Sequence, residues 1–175
     1  LGASGVESVT VNDKDSETNR LTLNNVSSHK TALNLTGGTA STDYTVLGTV
    51  IAKSVDASTQ ASNLRIDVGT ADQTIKLGTG NDILTFATVN GFNGSDTITD
   101  AGGTDTVRAS FNASVTGAPS LTGIEKFHIV TTADATIDMS KATTVTELAI
   151  LSDKAVNGTG GATDLSPVTA EPFYI

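Results

Sequence analysis

Apolar residues in this chain recur at every second position, in runs too short for a helix. Val9 and Val11, Leu21 and Leu23, Leu33 and Leu35, Phe127 and Ile129, and Leu148 and Ile150 are each separated by a single residue. A period of two puts such side chains on one face of an extended strand. The pattern predicts strands at 5–11, 20–23, 32–35, 44–51, 63–68, 107–111 and 123–130. Residues 36–42 and 112–120, rich in Gly, Thr, Ser and Asn, read as loops, and 54–61 as a loop or a brief helical turn.

The middle of the chain repeats a different unit, Gly-x-Asp-x-apolar. It occurs as Gly80-Asn81-Asp82-Ile83-Leu84, Gly94-Ser95-Asp96-Thr97-Ile98 and Gly103-Thr104-Asp105-Thr106-Val107, with a weaker copy at Ala71-Asp72-Gln73-Thr74-Ile75. Glycine allows the backbone to turn tightly, the carboxylate supplies the hard oxygen that Ca²⁺ prefers, and the apolar residue starts a strand. Gln73 and Asp82 are nine residues apart, as are Asp96 and Asp105. Nine is the period of calcium-binding parallel β-rolls. The alternative is a set of ordinary Gly/Asp turns. The candidate metal ligands are therefore Gly78, Gly80, Asp82, Gly94, Asp96, Gly103 and Asp105, with Ca²⁺ as the ion. One nonapeptide makes half a coil, so Asp82 and Asp105 are expected on one edge, across a short insertion at 89–91, and Asp96 with Gln73 on the other. The second edge, with one charge fewer, is expected to bind less well.

These signals predict an all-β fold, a right-handed parallel β-solenoid or β-roll with nonapeptide-like calcium turns. Its interior should be lined by Val9, Leu21, Leu23, Leu33, Leu35, Ile66, Ile75, Leu84, Ile98, Val107, Phe127, Ile129, Ile137, Met139, Leu148 and Ile150. The chain divides into an N-terminal solenoid segment (1–68), a calcium-type segment (69–111), a second solenoid segment (112–156) and a Gly/Pro-containing tail (157–175). Gly5-Val6-Glu7 resembles Gly123-Ile124-Glu125, with Leu21 and Leu23 opposite Ile137 and Met139, and Leu33 and Leu35 opposite Leu148 and Ile150, as if the first segment recurred. That order, and the Leu at position 1, fit a piece of a longer or processed protein.

Composition narrows the function. Small and hydroxylated residues dominate, aromatics are 4%, and Trp and Cys are absent. Stacked coils can be built from such side chains. The lack of Cys excludes disulfides and thiolate metal sites. The net charge of −9 disfavours nucleic acid as a partner and favours divalent cations. No apolar run reaches the roughly 18 residues of a membrane helix.

The run 78–107, with Leu121-Thr122-Gly123-Ile124-Glu125 and Ala135-Thr136-Ile137-Asp138-Met139, resembles bacterial surface-layer proteins of the RTX (repeats-in-toxin) type. The resemblance implies a calcium-dependent, self-assembling lattice on a cell surface, exported by type I secretion, with surface polysaccharide as a further partner. Leu77, Ala71 and Gln73 depart from the strict G-G-x-G-x-D repeat.

Other chemistry is thin. Asp13-Lys14-Asp15 begins like an EF-hand, but Thr18 and Asn24 stand where that loop needs Gly and Glu. His29 and His128 form no cluster, and Ser27-x-x-Lys30 lacks the companion motifs of serine acyl-enzymes. Asn25, Asn34, Asn93, Asn112 and Asn157 fit the glycosylation sequon and matter only in a glycosylating host. The sequence therefore reads as a structural protein rather than an enzyme. An RTX-type adhesin or carbohydrate-binding module is the alternative, and a polysaccharide-acting β-helix enzyme a third. Few aromatic platforms are available for sugar stacking.

Overall fold

The structure is a computed structural model that describes residues 7–22, 32–69 and 72–151, together with the backbone of 156–159. Every regular element among these residues is a strand. In chain order they are β1 (Ser8–Asp13), β2 (Asn19–Thr22), β3 (Ala32–Gly37), β4 (Asp43–Val50), β5 (Ser54–Gln60), β6 (Asn63–Val68), β7 (Thr74–Lys76), β8 (Ile83–Phe86), β9 (Thr97–Thr99), β10 (Thr106–Phe111), β11 (Ser120–Thr122), β12 (Lys126–Thr131), β13 (Ala135–Asp138), β14 (Glu147–Ile150) and β15 (Val156–Thr159).

Consecutive strands belong to different sheets. One sheet has the order β1-β3-β5-β7-β9-β11, the other β14-β12-β10-β8-β6-β4-β2, and β13 pairs with β15. Each strand pair is parallel. The chain is a parallel β-solenoid, in which each coil supplies a strand to each of the two main sheets.

Register explains why short alternating strands suffice. Val9, Leu33, Val55, Ile75, Ile98 and Leu121 are successive partners in the first sheet. Leu21, Val46, Ile66, Leu84, Val107, Phe127 and Leu148 are successive partners in the second. Each inward residue stacks on its counterpart in the next coil, and the two columns meet in a single core. A one-residue slip would turn every inward side chain outward, so burial fixes the register. Most of the expected interior residues are buried, while Leu21, Leu148 and Ile150 are partly buried against the core. Leu23 lies outside the described residues.

The segment after β8 widens the coil. Residues 88–93 leave the second sheet and carry Phe92 inward, where its ring lies 4.7 Å from that of Phe86 and 5.5 Å from that of Phe127. Later coils keep this third side: Val115 N–H donates to Thr136 O at 2.8 Å, and β13 and β15 pair there.

Three expectations change. Residues 54–61 are mostly a strand, because Val55 and Ala57 point inward between less buried polar neighbours. The segment read as a Gly/Pro-containing tail from 157 includes strand at its start, since Val156–Thr159 pairs with β13. The apparent long-range repeat is not structural. Leu33 and Leu148 lie in different main sheets, and Ile137 lies on the third side. Alternation alone produced that match. The segment boundaries at 68/69 and 111/112 are bridged by β6–β8 and β10–β12 pairing.

Candidate metal centre

The turns that lead from the first sheet into the second form one edge of the solenoid. Here Asp82, Asp105 and Glu125 are in register, one position before the strand pairs Ile83–Thr106 and Thr106–Lys126. Each carboxylate bonds to the backbone of the coil before it. Asp82 Oδ1 accepts the Leu64 N–H at 2.8 Å, Asp105 Oδ1 accepts the Asp82 N–H at 2.7 Å, and Glu125 Oε2 accepts the Asp105 N–H at 2.9 Å. Such bonds would serve equally in turns that bind no ion. They stitch the coils at a point where a turn would otherwise leave N–H groups buried and unpaired.

That role leaves some oxygens over. Asp82 spends its second oxygen on the Gly78 N–H at 3.1 Å. Asp105 is fully buried, yet its Oδ2 has no hydrogen-bond partner among the described residues, and neither does the buried Oδ1 of Asp100. One carboxylate oxygen from each of Asp82, Asp100 and Asp105 lies within 4.8 Å of the other two. Carboxylates cannot donate to one another unless one is protonated, so the cluster calls for a proton or a cation. Oxygens on opposite sides of a calcium ion stand about 5 Å apart, which this spacing accommodates. Three carboxylates would supply its charge, and Ca²⁺ takes six to eight oxygens.

Burial dominates the electrostatics. It raises the Asp82 carboxyl above its ordinary value, against the bonds from Leu64 and Gly78. It pushes Asp105 up to about 8, assisted by the nearby charges of Asp100 and Asp82. It pushes Asp100 up to about 6. Each such carboxyl keeps in the folded chain a proton that it has lost in the unfolded chain. Without metal, stability should therefore fall as pH rises from about 4, where unfolded carboxyls titrate, toward 8. Melting in chelator should occur at a higher temperature at pH 5 than at pH 8. An apo melting temperature that is flat or rises over this range would show that the cluster is not strained by its charge.

The other candidate residues are placed as follows. Gly103, at φ +137°, lets two coils approach: a β-carbon there would meet the Gly80 carbonyl oxygen at 2.0 Å. Gly78 uses its N–H on Asp82, and its carbonyl accepts the Ala101 N–H at 3.2 Å. Asp96 lies on the other edge, stacked against Gln73 as its spacing predicts. Its carboxylate accepts the Gln73 and Asn93 N–H groups, both at 2.8 Å, so both oxygens are occupied. Gln73 turns its amide toward the Ala52 and Val50 carbonyls at 2.8 and 3.3 Å. Gly94 N–H donates to Thr116 O at 2.9 Å. The structure thus brings Asp82 and Asp105 together and keeps Asp96 apart from them.

Two members were not singled out from the sequence. Asp100 adds the third carboxylate, and Glu125 extends the bonded series. Glu125 had a legible signal, since Gly123-Ile124-Glu125 repeats the Gly-x-acid spacing of Gly80-Asn81-Asp82 and Gly103-Thr104-Asp105.

Comparison with protein families, with curated proteins and with solved structures finds no match to this chain in any of the three. The solenoid fold and the carboxylate cluster are what define it.

Proposed function

We propose that this chain is a structural, calcium-binding segment of a secreted bacterial surface layer, stabilised by an ion at Asp82, Asp100 and Asp105. The observation that supports it most is the fully buried Asp105, with one oxygen unpartnered beside two further carboxylates. A buried cluster of like charges is costly in a purely structural turn and serves well as a cation site. The fold suits assembly. Sheets built by stacking coils end in strands whose backbone groups can pair with a further coil or a neighbouring molecule.

An adhesin or carbohydrate-binding module is the second reading. A polar cleft of about 410 Å³ opens on the same edge, lined by Ala40, Ser41, Ala61, Asn63, Thr79, Gly80 and Asn81. It contains no aromatic ring, so it lacks the stacking platform that sugar sites use. The lattice reading is therefore preferred.

Electron microscopy of the concentrated protein tests it. Ordered arrays or filaments are expected with calcium, and dispersed particles after chelation. A chain that stays monomeric at high concentration and high calcium would overturn the proposal. Specific glycan binding by that monomer would favour the second reading.

A further inference from the structure

The edge that carries the carboxylate cluster has a second column of residues, one per coil: Asp13, Gly37, Gln60, Gly78, Asp100 and Gly123. Strand register joins Asp13 to Gly37 and Gly37 to Gln60. Backbone bonds from Thr79 to Gln60 and from Ala101 to Gly78 continue the column, and Gly123 packs on the Asp100 carbonyl. Polar side chains and glycines alternate. A β-carbon at Gly37 would meet the Asp13 carbonyl oxygen at 1.9 Å, and one at Gly78 would meet the Gln60 carbonyl oxygen at 1.9 Å. All three polar side chains have buried atoms without a hydrogen-bond partner among the described residues: Asp13 Oδ2, both amide atoms of Gln60, and Asp100 Oδ1.

The neighbouring column decides what each of the three meets. In register it runs Asn19, Tyr44, Leu64, Asp82, Asp105. Asp13 therefore meets Asn19, whose Nδ2 donates to Asp13 Oδ1 at 3.0 Å. Asp100 meets Asp105. Gln60 has Leu64 at this place, which offers no polar atom. Yet the Gln60 residue is only 1% exposed.

Something small and polar must satisfy that amide, because leaving buried donors and acceptors unpaired costs about 1–3 kcal/mol apiece. Gly38 marks the place. The point a β-carbon on Gly38 would occupy lies 2.3 Å from Ser62 Oγ and 3.0 Å from Gln60 Nε2, so both atoms lie beside one spot. The Ser62 hydroxyl also accepts the Thr39 N–H at 3.2 Å, donates to the Thr39 carbonyl at 3.2 Å and lies 2.6 Å from Thr42 Oγ1, so it can only accept from a further partner. These groups are neutral, and the amide nitrogen presents hydrogens. They suit a molecule that both donates and accepts, and they disfavour a cation.

We propose that Gln60 and Ser62 hold one internal water molecule, and that this site is the neutral counterpart of the carboxylate cluster two coils further on. Internal waters bond to buried polar groups; here Gln60 Nε2 would donate to the water, and the water would donate to Ser62 Oγ. The site stands without the calcium reading, because none of its groups is charged.

NMR on the whole ¹⁵N-labelled chain tests it, in calcium and again in chelator. The Gln60 side-chain NH₂ should show cross-relaxation with a long-lived water in both. Gln60→Met keeps the length and removes both polar atoms. It should lower the melting temperature by several degrees if a water completes the amide, since the water and Ser62 would then lose a partner. A Gln60 NH₂ without a water cross-peak, or a Gln60→Met chain that melts higher than wild type, would show the amide to be dry and overturn the proposal. Loss of calcium binding elsewhere in the chain would change neither reading.

Discussion

Asp105→Asn should reverse its sign between two buffers. In calcium it should melt well below wild type, and in chelator at or above it. The reason is already present in the first coil. There Asn19 stands at the position of Asp105, and its amide donates to Asp13, the counterpart of Asp100. The substitution gives the later site the same pairing at any pH, so Asp100 gains a donor that Asp105 supplies only while it keeps its proton, up to about pH 8. It also removes one of three carboxylates from the ion. An ion present at a hundred times its Kd stabilises by about 2.7 kcal/mol. Its loss corresponds to roughly 5–10 °C for a chain of this size. Asp105→Ala should be worse in both buffers, because the buried Asp82 N–H then loses its acceptor, at about 1–3 kcal/mol. Asp72→Ala, at an exposed position, should stay within about 0.5 kcal/mol of wild type. Equal losses from Asp105→Asn in both buffers, or a wild-type melt indifferent to chelator, would reduce the cluster to plain turns.

Phe92→Ala should be the most damaging change in the core. The ring is buried between Phe86 and Phe127, which belong to two different coils of the second sheet. Truncation of a buried Phe costs about 3–5 kcal/mol, a large share of the 5–15 kcal/mol that holds an ordinary domain. Denaturant titration should show the loss as a lower midpoint. Val89→Ala, three residues away but 46% exposed, should change stability by less than about 0.5 kcal/mol. If the two variants unfold alike, the segment is a passive spacer.

That contrast shows where the sequence was readable. Val9, Leu33, Ile75, Ile98 and their partners were legible because parallel stacking needs only alternation and a repeating interval. The same arithmetic placed Asp82 over Asp105 and Gln73 over Asp96. Phe92 was not legible. It stands in a Gly/Asn-rich insertion, and only the position of the other two rings makes it core. Asp100 was missed for a related reason. Its distance from Asp105 fits no period, and only the turn between them folds it back into the site. The false repeat between the two ends of the chain came from the opposite error, since any two strands of a solenoid share alternation whichever side they occupy.

Because both sheets are parallel and each strand pairs with the next coil, their hydrogen bonds point along the axis of the molecule. Tension applied between the two ends of such a stack meets one coil at a time instead of shearing many strands together. A coil occupies about 4.8 Å of that axis. Its chain is long by comparison: Asp82 and Asp105, neighbours in adjacent coils, are 23 residues apart. Pulled straight, that length spans roughly 80 Å. Each coil is thus a stored reserve of extension, released at a low and repeating force, and an ion that ties the Asp82 and Asp105 coils together would set which of them yields last.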